Sequence, residues 1–306
     1  MYISLASKGK NQFWRYLVSV IVFLVASLIG QIPLTLVVAS RYTTQESMQN
    51  FLKNLNFELI GISPLVGLIL IAIPFAFLLL AVIVSVVNIH ERPLLSLLTS
   101  RKKYSWSKTF FAIVTMLILM ILSDLVFRSF HPDNYEFNAG FEKVLPLAIV
   151  ALLFLPFQTS AEEFLMRGYL MQGFGLLFRF RWISLLITAI IFGALHFQNP
   201  EVSKFGFGLS MIYYIGFGLF MGILVLMDEG LELALGIHFI VNYYSVVFVT
   251  YPDSALVTPA LFRIKTFDPV GMTISFGLTA IIFLIIVAVR YKWKNWSKLL
   301  RPYNMN

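Results

Sequence analysis

The sequence alternates between long apolar runs and short polar segments, and eight of the runs are candidates for membrane-crossing helices. A helix needs about 20 predominantly apolar residues to cross the roughly 30 Å hydrocarbon layer of a bilayer. The predicted spans are residues 17–39, 59–89, 109–127, 144–161 with its continuation, 182–197, 206–227, 233–251 and 270–289. The pattern therefore predicts an all-α, polytopic membrane protein of about eight transmembrane helices.

The run at 59–89 is ambiguous, because Pro64 and Pro74 interrupt its 31 residues. Two spans would need at least about 17 residues each, and the turn between them would need more. We therefore predict one long helix that is tilted, or kinked where proline removes a backbone donor. With eight spans in total, both termini lie on the same side of the membrane.

Lysine and arginine residues between the spans favour one orientation. With the N-terminus in the cytoplasm, the inner segments hold 15 of these residues, and the outer segments, which include Lys53, hold 7. Positive charge is enriched on the cytoplasmic side of membrane proteins. Both termini are therefore predicted to be cytoplasmic, although Asp228, Glu229 and Glu232 make one inner loop acidic.

Composition supports the membrane assignment. Hydrophobic residues make up 59% of the 306 residues and charged residues 12%, and the mean hydropathy is +0.84. Soluble domains contain roughly 45–50% and 25% of these classes, so a soluble enzyme or a disordered scaffold is disfavoured. The net charge of +8 comes largely from residues beside the spans, which predicts contact with the lipid bilayer and no nucleic-acid partner. Without an internal repeat or linker, residues 1–306 are predicted to form a single membrane domain.

Three short strings place ionisable groups where lipid should exclude them. They are EEFLMR at 162–167, FGALH at 192–196 and HFIVN at 238–242. An ionisable group inside a span is costly unless it is paired or faces a cavity, so each string is a candidate functional site. If the fourth and fifth helices form an antiparallel hairpin that turns near Arg179, Glu162 and His196 lie level across it.

Helical spacing predicts different roles for the adjacent residues Glu162 and Glu163. Glu163 and Arg167 are four residues apart and can pair on one helix face. Glu162 points about 100° away from Glu163, so its carboxylate is left free for chemistry. The four-residue spacing puts two further pairs on shared faces: Phe192 with His196, and His238 with Asn242.

These residue types suit hydrolysis of a carbonyl compound by an activated water molecule. Glu162 is a natural general base, and His196 would hold and polarise the water. His238 and Asn242 could stabilise the developing oxyanion. Neither G-x-S-x-G nor H-E-x-x-H occurs, so the serine-hydrolase and zincin templates do not apply. The alternative to a metal-free site is a divalent metal such as zinc, held by Glu162, His196 and His238.

The three strings resemble the motifs of the CPBP intramembrane proteases, a family of CAAX proteases and bacteriocin-processing enzymes also called the Abi family. The family pattern is E-E-x-x-x-R, F-x-x-x-H and H-x-x-x-N or D. All three motifs are complete and in order here, within a core of about residues 143–251. The resemblance implies water activation by Glu162 and His196, an oxyanion site of His238 and Asn242, and supporting positions at Glu163, Arg167 and Phe192.

The resemblance implies an intramembrane endopeptidase that cleaves a membrane-anchored peptide or protein substrate. A prenylated CAAX-type tail and a bacteriocin or pheromone precursor are both open as substrates, because the motifs do not include the residues that contact the peptide. The alternative is a non-enzymatic membrane protein: a transporter that uses the buried charges as a proton relay, or a scaffold or immunity protein. The compact chain favours a prokaryotic cell (inner) membrane.

Overall fold

The computed structural model describes residues 1–41, 51, 56–252, 254 and 256–302. Lys53, which the charge count assigned to an outer segment, lies outside these residues. The principal helices of the described chain are α1 (Phe13–Ala39), α2 (Pro64–Ile89), α3 (Trp106–Phe130), α4 (Phe141–Phe178), α5 (Arg181–Leu195), α6 (Phe207–Asp228), α7 (Glu232–Val247) and α8 (Pro269–Arg290). Short helices lie at Leu95–Leu98 and Pro200–Phe205. The prediction of an all-α, polytopic membrane protein is confirmed.

The predicted count of eight spans is not confirmed. Among the described residues, six helices are long and apolar enough to cross a membrane: α1, α2, α3, α4, α6 and α8. Helices α5 and α7 have 15 and 16 residues. At about 1.5 Å per residue they measure roughly 22–24 Å, which is less than the ~30 Å hydrocarbon layer. Helix α5 ends at Leu195, and the chain then turns ahead of Pro200, a residue that cannot continue a helix.

Helix α2 is one continuous helix, as predicted, but it begins later than the apolar run does. Phe57–Ile60 form a separate 3-10 turn, which Gly61 ends in the left-handed conformation. Pro64 is the first residue of the helix, where its missing N–H group would have had no partner in any case. Pro74 lies inside the helix.

Helix α4 changes from α-helical to π-helical winding directly after the adjacent residues Glu162 and Glu163. Residues Phe141–Glu163 are α-helical, Phe164–Leu170 form a π-helical segment, and Met171–Phe178 return to α-helix. Such π segments are rare and frequently lie at functional sites. The predicted hairpin is confirmed, because α4 ends at Phe178, Arg179 adopts a left-handed conformation and α5 begins at Arg181.

Helix α7 lies at the centre of the bundle. It packs against α3, α4 and α6, while α5 packs against α6, and α2 against α1 and α4. The largest buried cluster joins side chains of α3, α4, α5, α6, α7 and α8, including Met116, Phe192, Leu224 and Ile237. Helix α1 instead exposes most of its apolar side chains, as expected of a helix whose solvent is lipid. The central helices are therefore those that carry the three motifs.

A small sheet joins the end of α3 to the segments that follow α7. Its strands are β1 (Tyr135–Phe137), β2 (Val249–Thr250) and β3 (Phe262–Ile264), in the order β1-β3-β2. Strand β3 pairs antiparallel with β1, with Tyr135 opposite Ile264, and parallel with β2, with Val249 opposite Phe262. The sheet thus fixes the exits of α3 and α7 relative to each other.

Basic side chains from another predicted inner segment, residues 101–108, form ion pairs with the acidic inner loop at 228–232. Arg101 Nη2 lies 3.0 Å from Asp228 Oδ2, and Arg101 Nη1 lies 3.1 Å from Glu232 Oε2. Lys108 Nζ pairs with the second oxygen of Asp228, and Lys298 Nζ lies 3.4 Å from Glu229 Oε1. The loop that disagreed with the charge count is therefore neutralised within the protein, and the orientation in the membrane stays a prediction.

Gly236 lets α7 approach α3 closely, and this gives a first testable prediction. A β-carbon added at Gly236 would lie 2.5 Å from the carbonyl oxygen of Thr109 and 3.0 Å from Ala112 Cβ. We expect Gly236→Val to force the helices apart and to lower the free energy of unfolding by about 1–3 kcal/mol. The measurement is the midpoint of thermal unfolding in detergent. The control is Gly216→Val on α6, where an added β-carbon meets no atom within 4 Å. Equal losses in the two variants would contradict the prediction.

Candidate active site

A cavity of about 720 Å³ lies among the central helices, and all four candidate catalytic residues line it. Glu162 comes from α4, His196 from the residue after α5, and His238 and Asn242 from α7. Apolar and aromatic side chains also line the cavity. A largely apolar cavity with a few convergent polar groups is typical of a binding or active site.

Glu162 has one carboxylate oxygen without a protein partner. Its Oε1 accepts a hydrogen bond of 3.4 Å from Gln158 Nε2, one turn earlier on α4. Its Oε2 is buried, has no hydrogen-bond partner among the described residues, and lies 3.6 Å from His238 Nε2. A buried acceptor without a donor is unfavourable unless another molecule binds it. Because Glu162 lines the cavity, its Oε2 is open to a donor from a bound molecule.

Glu163 is fully buried and joins residues of two motifs. Arg167 Nη1 donates to Glu163 Oε1 over 2.8 Å, so the ion pair expected from the spacing is present. His238 Nδ1 lies 2.7 Å from the same oxygen. A carboxylate oxygen only accepts, so Nδ1 carries the proton and the imidazole turns Nε2 toward Glu162. Glu163 thus orients His238 in addition to neutralising Arg167.

Phe192 packs against the buried arginine and both imidazoles. Arg167 Cζ lies 4.6 Å from the centroid of the Phe192 ring, in a cation–π contact. The ring centroids of His196 and His238 lie 4.5 Å and 6.2 Å from the same centroid. Arg167 is 1% exposed, so its charge depends on Glu163 and on this aromatic ring for stabilisation.

His196 lies one residue beyond α5, whereas the predicted span 182–197 would have placed it inside a helix. Its Nδ1 lies 2.7 Å from the carbonyl oxygen of Phe192, one of the last carbonyls of the helix, which lack an internal donor. Since a carbonyl only accepts, Nδ1 carries the proton and Nε2 has a lone pair that can accept a hydrogen bond from water. The Phe192–His196 spacing is thus realised as a cap at the end of α5.

Asn242 lies one turn after His238 on α7 and lines the same cavity. Its amide group can donate to an oxyanion beside the His238 imidazole. The structure therefore brings one residue or more of each motif to a single cavity. Glu163 and Arg167 are buried and are not among the residues that line it.

Further side chains outside the motifs contribute to the site. The ring centroid of Tyr214 on α6 lies 4.4 Å from that of His196. The ring centroid of Phe217 on the same helix lies 5.3 Å from that of His238. Asp124 of α3 accepts hydrogen bonds from the hydroxyl groups of Tyr244 and Tyr135, which ties α3 to α7 and β1. The partners are far apart in the chain, so spacing rules could not identify them. The local signals were Asp124 itself, an acid near the outer end of the predicted span 109–127 for which the sequence left a solvated or a proton-relay role open, and the aromatic residues of the 206–227 run.

The end of the cavity near β2 is formed by aromatic packing. The rings of Tyr251 and Phe267 are stacked, with centroids 3.9 Å apart and planes inclined by 15°. The Tyr251 hydroxyl donates to Glu201 Oε1 over 3.3 Å. Burial raises the pKa of Tyr251 well above its usual value, so the phenol keeps the proton that it donates.

The three residues considered as zinc ligands do not form a ligand set in this geometry. A zinc site needs three or four ligand atoms at about 2.0–2.3 Å from one point. Within the described part of the chain, no group of three or more His, Asp, Glu or Cys side chains is arranged to hold a metal ion. Glu162, His196 and His238 are all among the described residues. We therefore derive no step through a metal.

The chain resembles known proteins both in its motif region and over nearly its whole length. Residues 141–244 match the family described as type II CAAX prenyl endopeptidase Rce1-like. This region runs from the start of α4 into α7 and contains all three motifs. The chain is also similar to the uncharacterized protein YyaK of Bacillus subtilis (strain 168), with 30% identity over 298 residues, 95% of this chain and 96% of that protein. No solved structure matches the chain.

The buried ion pair gives a second prediction. Arg167→Met keeps much of the side-chain volume but leaves the charge of Glu163 without its cation. Breaking a buried pair costs about 3–5 kcal/mol, so we expect a lower yield of folded protein and a lower midpoint of thermal unfolding. Lys10→Met is the control, because Lys10 and Glu91 form a pair at 2.7 Å whose side chains are 51% and 47% exposed. It should lose much less stability. Unchanged stability in Arg167→Met would contradict the prediction.

Proposed function

Because the chain belongs to the Rce1-like family of type II CAAX prenyl endopeptidases, a protease family, we propose that it is an intramembrane endopeptidase that hydrolyses peptide bonds with an activated water molecule. The observation that best supports this proposal is the convergence of Glu162, His196, His238 and Asn242 on one cavity. The free and buried Oε2 of Glu162 supplies a proton acceptor there.

In the proposed reaction, Glu162 and His196 bind the attacking water. Glu162 Oε2 accepts one of its protons, and His196 Nε2 accepts a hydrogen bond from the other, since His196 Nδ1 is engaged with the Phe192 carbonyl oxygen. With both protons directed at the protein, a lone pair of the water oxygen is available for the substrate carbonyl. In this arrangement the two acceptors hold the water in position before attack.

Attack forms a bond between the water oxygen and the carbonyl carbon, and a proton passes to Glu162. The carbonyl oxygen gains negative charge, which the Asn242 amide and the His238 Nε2–H group stabilise by hydrogen bonding. In this role His238 carries protons on both ring nitrogens, and its Nδ1–H group donates to Glu163. The tetrahedral intermediate then breaks its carbon–nitrogen bond, and Glu162 returns the proton to the departing amine.

The proposed substrate is a membrane-associated peptide or protein. Its scissile bond has to reach a cavity enclosed by apolar helices, and a membrane anchor would bring it there by raising its local concentration. Prenylated CAAX-type tails and unlipidated peptide precursors both fit this description. We further propose cytoplasmic termini in a prokaryotic cell membrane, which is supported by the excess of Lys and Arg residues in the predicted inner segments.

Replacement of the proposed base gives the main test of the function. Glu162→Gln keeps the shape of the side chain but removes the proton acceptor, so we expect kcat to fall by about 10²–10⁴-fold. Thermal stability should change little, because Oε2 accepts no hydrogen bond from the described residues and its nearest polar neighbour, His238 Nε2, lies 3.6 Å away. The measurement is the cleavage of paired lipidated and unlipidated peptides of one sequence by protein purified in detergent.

The matched control for this test is Glu142→Gln. Glu142 lies on the same helix, in its first turn, and is exposed and absent from the cavity lining. The control should cleave the peptides at the wild-type rate. Hydrolysis at the wild-type rate by Glu162→Gln would remove the proposed base. Hydrolysis of neither peptide by the wild type would favour a non-enzymatic role.

Metal removal gives a separate prediction. Since Glu162, His196 and His238 do not form a ligand set, we expect the wild type to keep its peptidase activity after exhaustive chelation and buffer exchange. The measurements are the residual rate and the metal content of the same sample by elemental analysis. Loss of activity on chelation, with recovery on addition of a stoichiometric amount of zinc, would contradict this prediction.

A further inference from the structure

Tyr214 on α6 makes a close ring contact with His196. The ring centroids lie 4.4 Å apart and the ring planes are inclined by 24°, which is a stacked arrangement. Phe192 lies at a similar distance, 4.5 Å, with an angle of 38°. The imidazole of His196 is therefore in contact with aromatic rings of two different helices.

Asn199 closes a ring of contacts between His196 and Tyr214. The backbone N–H of Asn199 donates to the carbonyl oxygen of His196 over 3.0 Å, which closes a turn directly after α5. The side-chain Nδ2 of Asn199 donates to the Tyr214 hydroxyl over 2.9 Å. Asn199, three residues after His196, thus holds the hydroxyl group of Tyr214, and the ring of the same tyrosine stacks on His196.

His196 requires such contacts because of its place in the chain. It follows the last residue of α5, so the regular hydrogen bonds of a helix do not fix its backbone on the C-terminal side. Its neighbours Leu195 and Phe197 are both exposed and give it no buried packing. The orientation of its ring therefore depends on Phe192 and on Tyr214.

We propose that Tyr214 is a positioning residue that holds the His196 imidazole so that Nε2 faces the attacking water. This inference rests on the proposed function of His196. Tyr214 belongs to none of the three motifs, and it acts through His196 and not on the substrate. A displacement of about 1 Å in a reacting group can reduce a rate about 10²-fold, so loss of the stacked ring should affect turnover.

The kinetic test compares Tyr214→Phe with Tyr214→Leu. The phenylalanine variant keeps the stacked ring and loses only the hydroxyl group, with its hydrogen bonds to Asn199 and Glu201, so we expect its kcat to stay within about threefold of the wild type. The leucine variant loses the ring, and we expect its kcat to fall roughly 10- to 100-fold, with a smaller change in KM. The control is Tyr243→Leu on α7, where the tyrosine ring packs on Phe239 at 5.4 Å and does not line the cavity.

A second measurement tests the contact without any hydrolysis. The chain contains four histidines, so isotope-labelled histidine gives few side-chain signals, and His196→Gln identifies the signal of His196. The face of the Tyr214 ring should shift the His196 ring protons upfield. This shift should persist in Tyr214→Phe and in Tyr243→Leu, and it should become clearly smaller in Tyr214→Leu, where only the Phe192 ring remains beside His196.

The outcomes separate the inference from the proposed function. An unchanged His196 signal in Tyr214→Leu, or equal losses of kcat in the phenylalanine and leucine variants, would overturn the positioning role. A loss of kcat in Tyr243→Leu as large as that in Tyr214→Leu would also overturn it. If the wild type cleaves no peptide but the upfield shift behaves as expected, the proposed function is overturned while the positioning of His196 by Tyr214 is supported.

Discussion

The structure depends on one buried carboxylate. Glu163 is fully buried in a region where unpaired charge is costly, and its Oε1 accepts hydrogen bonds both from Arg167, four residues later, and from His238 on another helix. The requirement for two donors fixes the rotation of α7 relative to α4. It also determines which nitrogen of His238 faces the cavity. A substitution at Glu163 would therefore disturb the fold and the site together, since the same oxygen, Oε1, binds both Arg167 and His238.

Because helix α5 is short, its end supplies polar backbone groups to the candidate site. Because α5 stops at Leu195 and not at the far side of the bundle, His196 can bind the free Phe192 carbonyl at the helix end, and the following turn lines the cavity. Irregular backbone at membrane depth is tolerated where protein buries it or where it lines a cavity. The π-helical segment after Glu163 is also irregular backbone beside the candidate site, and it changes the winding of α4 without ending the helix.

Local patterns in the sequence predicted the helices, the hairpin at Arg179 and the Glu163–Arg167 pair, because each depends on residues close together in the chain. The ends of α5 and α7 were placed too late, since the apolar runs at 182–197 and 233–251 continue beyond Leu195, where α5 ends, and through strand β2, which follows α7. The bond between Glu163 and His238 joins residues 75 positions apart, and only the packing of α4 on α7 creates it. The stacking of Tyr214 on His196 is equally non-local, and one tyrosine in an aromatic run carries no distinguishing signal.

Two adjacent glutamates thus acquire opposite properties from their surroundings. Glu163 Oε1 accepts from two donors inside the core, whereas Glu162 lines the cavity and its Oε2 accepts no hydrogen bond from the described residues. The difference arises from the rotation of about 100° between neighbouring residues of a helix, which turns one side chain into the core and the other into the cavity. Pairs of acids whose environments differ in this way can divide structural and catalytic work between them. The two positions are therefore not equivalent although both hold glutamate, because of the two carboxylates only that of Glu162 lines the cavity.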